Sequence, residues 1–179
     1  MNIFALASDP VEAAQSHIDA HCVKMIIELA QLLSSAHHIA GTENSDKIYK
    51  LTHKNHPCAI FTRSSEENYK YVANLASALL DEYSYRYNKT HNSTNIINWL
   101  KENLPTSYTG RMHSIPLAMP DEYKVTCPIQ SYRNYYLSKT HKSNGQVMMR
   151  YTKRQPPNWV LEKYKFEKVK DTWTLIFTN

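Results

Sequence analysis

Between Ala13 and Leu33 apolar and small residues recur so densely that a helix with most of its circumference buried is the natural way to fold them. Ala14, Ile18, Cys22, Met25, Leu29 and Leu32 fall on one side, and Val23, Ile26, Ala30 and Leu33 on another. Between them His17, His21, Lys24, Glu28, Gln31 and Ser35 recur every three or four residues as a single polar stripe. In a helix that crosses a small domain, such a stripe is either the one solvated strip or the wall of a pocket, because buried charges persist only when paired or functional. A plain solvated face is usually written with repeated Glu and Lys. This stripe offers two imidazoles, an ammonium and a carboxylate, the groups that transfer protons and attack electrophiles.

At 179 residues the chain fits one domain that can bury a real core without staples. Thirteen tyrosines and only three glycines suggest a helix-rich fold with aromatic packing and few tight loops. Cys22, Cys58 and Cys127 are odd in number and lack metal-finger spacing, which fits a reducing compartment. The apolar start Met1 to Ala7 is brief and lacks a basic leader, a poor signal peptide, and no segment approaches the roughly 20 apolar residues of a membrane span. The expectation is a soluble cytoplasmic protein without a membrane partner.

Asp9-Pro10-Val11-Glu12 reads as a helix start, with Asp9 as N-cap and Pro10 in the first turn, and the spacing predicts one continuous helix to about His37 or His38. Ala40 to Ser45 reads as a surface loop and Thr52 to Cys58 as a turn in which Pro57 biases His56 towards an extended conformation. Ser64 or Ser65 opens a second helix through about Arg86, the packing partner of the first. Shorter helices follow at about 95–103 and 128–138, and the runs 164–170 and 173–177 read as a terminal hairpin. The expected fold is mainly α: a compact single-domain helical bundle over 1–159, then a C-terminal extension over 160–179 carrying the hairpin.

Lys24 and Glu28, one turn apart, read either as a surface pair in the less favourable order or as an amine beside a carboxylate that moves its protons. His17 and His21 are spaced to share a metal from one helix, but the glutamate of His-Glu-x-x-His is missing, so no metal site is assigned. His53 and His56 flank the His-Pro turn and are candidates to join the stripe in space. Asp81, Glu82 and Arg86 read as a solvated face. The net charge of +5 permits nucleic-acid binding. From Arg133 to Lys170, Lys and Arg interleave with Tyr132, Tyr135, Tyr136, Tyr151, Trp159 and Tyr164, a pattern suited to phosphate contact and base stacking and equally to ordinary packing.

The run Asp19 to Leu33, the Asn55-His56-Pro57-Cys58 turn, Asp81-Glu82-Tyr83 with Arg86, and the later segments Ala118 to Tyr123 and Ser131 to Tyr136 resemble a family of small tailed-phage proteins. More distantly, Lys24-x-x-x-Glu28 followed by Asn55-His56-Pro57 is similar to the pyrimidine-dimer DNA glycosylases, the endonuclease V-like proteins. That resemblance implies a compact helical DNA-repair fold, an exposed or flipped nucleotide, and cleavage of an N-glycosidic bond through an imine to an amine. Members of that group use an N-terminal α-amine exposed by removal of Met before a small residue, and Asn2 departs from that pattern.

The resulting expectation is an enzyme acting on DNA or a nucleotide, in which Lys24 is nucleophile or phosphate clamp, Glu28 is acid/base, and His21 with His56 complete the pocket. His17, Gln31, His53, Asn55, Arg63, Tyr132, Arg133, Tyr136 and Lys139 are the candidate substrate-binding residues, and no cofactor is assigned. The alternatives are a non-enzymatic binder of nucleic acid or a host protein, and a metal-dependent hydrolase.

Overall fold

A computed structural model describes residues 1–42, 47–110 and 114–176. Glu43, Asn44 and Ser45 of the expected loop, and Phe177 at the end of the expected hairpin, lie outside these residues. The fold is mainly α. Its helices are α1 (Pro10–Gln15), α2 (Asp19–Ala40), α3 (Pro57–Thr62), α4 (Glu66–Tyr87), α5 (Thr94–Glu102), α6 (Pro128–Leu137) and α7 (Asn158–Leu161), with a 3-10 turn at Asp121–Tyr123. Three antiparallel strands, β1 (Arg150–Thr152), β2 (Lys165–Val169) and β3 (Thr172–Ile176), form a sheet in the order β1-β3-β2. Among the described residues, no helix is long and apolar enough to cross a membrane.

The ends of the long helices follow local chemistry. Asp9 accepts the Glu12 amide at 2.8 Å with Pro10 behind it, and Ser65 accepts the Asn68 amide. Gly41 closes α2 at φ 69°, a left-handed turn that glycine enters without penalty. The turn expected at Thr52 to Cys58 in part becomes helical: the His56 side chain accepts the Cys58 amide and starts α3 at Pro57.

The single first helix expected from the sequence is instead two. The chain leaves helical geometry between Gln15 and Asp19, with Ile18 extended at ψ 159°. The apolar spacing runs unbroken through the interruption, so periodicity could not reveal it. Groups brought by distant parts of the chain satisfy the backbone there: the Tyr136 hydroxyl accepts the Ile18 amide at 2.9 Å, and Arg86 donates to the Gln15 carbonyl at 3.2 Å.

α2 and α4 pack along each other, with α1 and α5 also on α4 and α3 against α2. The N-terminal segment belongs to the same core: its Ile3, Ala5 and Leu6 are fully buried. Phe4 sits at φ 47°, a left-handed conformation that is unfavourable for an aromatic residue. The Asn2 side-chain oxygen accepts the amides of both Ile3 and Phe4, and its nitrogen donates to the Ala118 carbonyl. The expected hairpin forms across a two-residue turn, with Val169 opposite Thr172, and β3 also pairs with β1. Tyr151 and Leu175 bury the sheet in the same core.

Glu82 and Arg86, expected on a solvated face, are buried. Arg86 Nε donates to Glu82 Oε1 at 2.7 Å and Nη1 to Asp19 Oδ1 at 3.0 Å. Arg154 grips the same Glu82 with two hydrogen bonds, at 3.0 and 2.7 Å. Asp19 also accepts the Thr152 amide and hydroxyl, at 2.9 and 2.8 Å. Two cations meet two carboxylates, which is why the charges tolerate burial. Removing one partner leaves the others uncompensated. Arg86→Met is expected to lower stability to urea by about 3–5 kcal/mol, whereas Lys70→Ala, which breaks the exposed pair with Glu66, is expected to change it by less than about 0.5 kcal/mol.

Candidate functional site

α2 carries Glu28 to a point where several donors converge. Lys24 Nζ lies 3.1 Å from Glu28 Oε1, the Asn2 amide donates to Oε2 at 2.9 Å, and the Met1 α-amine is 3.7 Å from Oε2. The Glu28 side chain is 13% exposed, while that of Lys24 is 68% exposed. One recessed carboxylate therefore stands between the Met1 α-amine and an exposed lysine amine. Asn2 sets this arrangement by holding the N-terminal segment in place from both its backbone and its side chain.

His56 feels the same group electrostatically. Its Nδ1 accepts the Cys58 amide at 3.1 Å, which leaves Nε2 to carry the proton of the neutral ring. Burial lowers its proton affinity, the Met1 amine and then His53 lower it further, and Glu28 acts in the opposite direction, so imidazole, amine and carboxylate share one electrostatic neighbourhood. His53 lies nearby on the exposed loop, its ring 2.6 Å from the Thr52 hydroxyl, and Asn55 is exposed beside it. Arg63 turns back along α3 to donate to the Lys54 carbonyl at 2.6 Å.

The rest of the stripe does not stay together. Gln31 is half-buried, and Ser35 is buried, donating to the Thr52 carbonyl and accepting its amide. His17 is fully enclosed, its Nδ1 donating to the Ala13 carbonyl at 2.7 Å, so it cannot touch a substrate from where it sits. His21 is 8% exposed and stacked on Phe4, with ring centres 4.8 Å apart.

Tyr132 and Tyr136, expected to stack on bases, are completely buried. The Tyr132 hydroxyl donates to the Pro116 carbonyl, and Tyr136 packs edge-on against Phe4, His17, His21 and Trp159. Arg133 is committed to the Leu6 carbonyl at 2.8 Å and lies over the Trp159 ring. These three residues hold α6 to the N-terminal segment. Lys139 remains near the surface, its Nζ 3.9 Å above the Tyr135 ring, and both Lys24 and Lys139 act electrostatically on His21. Among the described residues, no group of three or more His, Cys, Asp or Glu side chains is placed to hold a metal ion.

A groove of about 290 Å³ between α1 and α4, lined by Asp9, Asn74, Ser77, Asp81 and Lys101, contains none of the candidate residues. The sequence reading missed the packing role of the N-terminal segment. The signal was the run Ile3 to Ala7, too apolar for a solvated tail, with the amide of Asn2 just before it.

The enclosed histidines make an acid-sensitive fold. Burial lowers His17 to about 4, His21 to about 3 and His37 to about 4. In the unfolded chain each titrates near 6.5, so between those limits the unfolded state binds more protons and stability falls as pH falls. Their contribution is complete above about pH 6.5 and is lost progressively towards pH 4 for His17 and His37 and towards pH 3 for His21, on the order of 3 kcal/mol for His17 alone. Thermal melts across this range are expected to show a falling Tm, and His17→Leu a shallower fall.

Set beside known proteins, the chain matches no family model, no curated protein and no solved structure.

Proposed function

We propose that this protein acts on DNA or a nucleotide, most concretely as a glycosylase with lyase activity on a modified or damaged base. The observation that carries the reading is the recessed Glu28 carboxylate between the Lys24 and Met1 amines, with His56 in the same electrostatic neighbourhood. A protonated amine is not a nucleophile. Glu28 would accept its proton, after which the nitrogen attacks C1′ of the deoxyribose and the C1′–N bond to the base breaks.

The departing base takes up the proton that Glu28 accepted from the amine, with the Nε2–H of His56 as a hydrogen-bond donor to it. Opening of the sugar ring leaves an imine between the amine and C1′. Loss of a C2′ proton then expels the 3′ phosphate, and water hydrolyses the imine to restore the amine. Lys24, Lys139, Lys54 and Arg63 supply positive charge for the backbone, and Tyr135 is the half-exposed aromatic ring beside Lys139. The surface cation–aromatic pairs Lys139 with Tyr135 and Lys168 with Trp173 also favour the second reading, a binder of nucleic acid that performs no chemistry.

The test is strand cleavage on single- and double-stranded oligonucleotides carrying uracil, an abasic site, a thymine dimer or a hydroxymethylated base. Cleavage of at least one substrate is expected, with Glu28→Gln reducing it by about a hundredfold or more. Lys24→Arg separates the two roles of that residue: activity is retained if Lys24 clamps phosphate and lost if it is the nucleophile. Binding without cleavage of any substrate overturns the enzymatic reading in favour of the second one.

A further inference from the structure

The end of α5 and the chain that follows it form a depression of about 610 Å³ that is lined by none of the candidate residues above. Trp99 and Glu102, three positions apart on α5, share one helix face, and Thr42, Asn103, Leu104 and Thr106 line the depression with them. Two hydrogen bonds fix the loop after α5 in place. Thr106 Oγ1 donates to the Ala40 carbonyl at the end of α2 at 3.0 Å, and Asn103 Nδ2 donates to the Trp99 carbonyl at 2.8 Å.

Those same bonds decide what the depression can accept. Each spends a donor on the backbone, so Thr106 is left with oxygen lone pairs and Asn103 with Oδ1. Glu102 adds two carboxylate oxygens; it is exposed and makes no ion pair among the described residues. Among the described residues that line the depression there is no Lys or Arg to balance it. Lys101, next to Glu102 in sequence, is committed to Ser77 Oγ at 3.3 Å in the groove between α1 and α4. Beside Trp99 the bias continues with the fully buried His37, whose ring centre lies 5.3 Å from that of the indole. The Tyr69 hydroxyl donates to the Leu100 carbonyl at 2.8 Å and so accepts from His37 Nε2 at 2.9 Å, which leaves His37 Nδ1 as a lone pair without a partner. Against these acceptors stand two remaining donors, the Trp99 Nε1–H and the Thr42 hydroxyl, itself without a partner.

An anion finds nothing in such a lining to neutralise it, and a neutral polyol brings donors but no charge for Glu102. An ammonium supplies both. It sets a positive charge beside the carboxylate, offers three N–H donors to a lining rich in acceptors, and carries methylenes that can lie across an indole, the best of the aromatic faces for a cation. We propose that this depression binds a small aliphatic ammonium ion, a diamine or polyamine, with one ammonium on Glu102, Asn103 Oδ1 and Thr106 Oγ1 and its methylenes over Trp99 and Leu104. The volume lies within the range of small-ligand sites. This inference is independent of the nucleic-acid reading, because it uses a face of the protein that the chemistry at Glu28 does not.

Calorimetric titration of the full chain at low ionic strength with 1,4-diaminobutane, and separately with 1,4-butanediol, isolates the contribution of the charge. The diamine is expected to bind with a Kd on the order of 1 mM and the diol at least about tenfold more weakly. Glu102→Gln, a change at an exposed position, is expected to weaken the diamine about tenfold and leave the diol unchanged, with thermal melting confirming an intact fold. The indole N–H resonance of Trp99, assigned by its loss in Trp99→Phe, is expected to shift as the diamine is added. Equal affinity for diamine and diol, diamine binding that Glu102→Gln does not weaken, or binding that leaves the Trp99 resonance unmoved overturns the proposed site. So does a failure of the diamine to bind at all, and none of these results bears on the reading of Glu28.

Discussion

The buried guanidinium of Arg86 is the constraint on which the architecture turns. It reaches the last carbonyl of α1, the first carboxylate of α2 and the Glu82 carboxylate of its own helix. Through Glu82 it is coupled to Arg154, and through Asp19 to the backbone of β1. One side chain thus joins the helical layer, the break in the first helix and the small sheet. Such a network is a demanding way to hold a fold, because each charge depends on the others remaining in place. It also specifies geometry, since a planar guanidinium accepts its partners only in fixed directions.

The candidate site inherits this geometry. With α2 starting at Asp19, Glu28 is carried to the edge of the core where the N-terminal segment passes. Asn2 then fixes the segment by its backbone to Glu28 and by its side chain to Ala118 and the left-handed turn at Phe4. Phe4 stacks on His21, and Tyr136 holds the Ile18 amide at the helix break. The same buried aromatics that appeared suited to gripping a ligand instead keep the Met1 amine 3.7 Å from Glu28.

Much of the fold was legible because it is written in local signals. The Ser65 cap, the four-residue spacing of α4 and the alternation around Asp171 each act through neighbours in sequence. Lys24 and Glu28 could be paired for the same reason. The break at Ser16 to Ile18 could not be read, because Tyr136 and Arg86 stabilise it from more than sixty residues away. Burial of Glu82 and Arg86 was hidden in the same way: an i,i+4 charge pair looks alike on a wet or a dry face until Asp19 and Arg154 arrive. Tyr132 and Tyr136 were ambiguous in principle, since tyrosine serves a core and a stacking surface equally well. What decided was the apolar N-terminal segment packing beneath them.

If, as proposed, an amine next to Glu28 forms a covalent imine with deoxyribose, chemical mapping locates it. The protein would be incubated with abasic and damaged-base DNA in the presence of borohydride, digested, and the reduced adduct located by mass spectrometry. A DNA remnant attached to Lys24 or to the Met1 α-amine is expected, and its loss in Glu28→Gln. An adduct on a lysine distant from Glu28, or no adduct on any substrate that the protein cleaves, would contradict it.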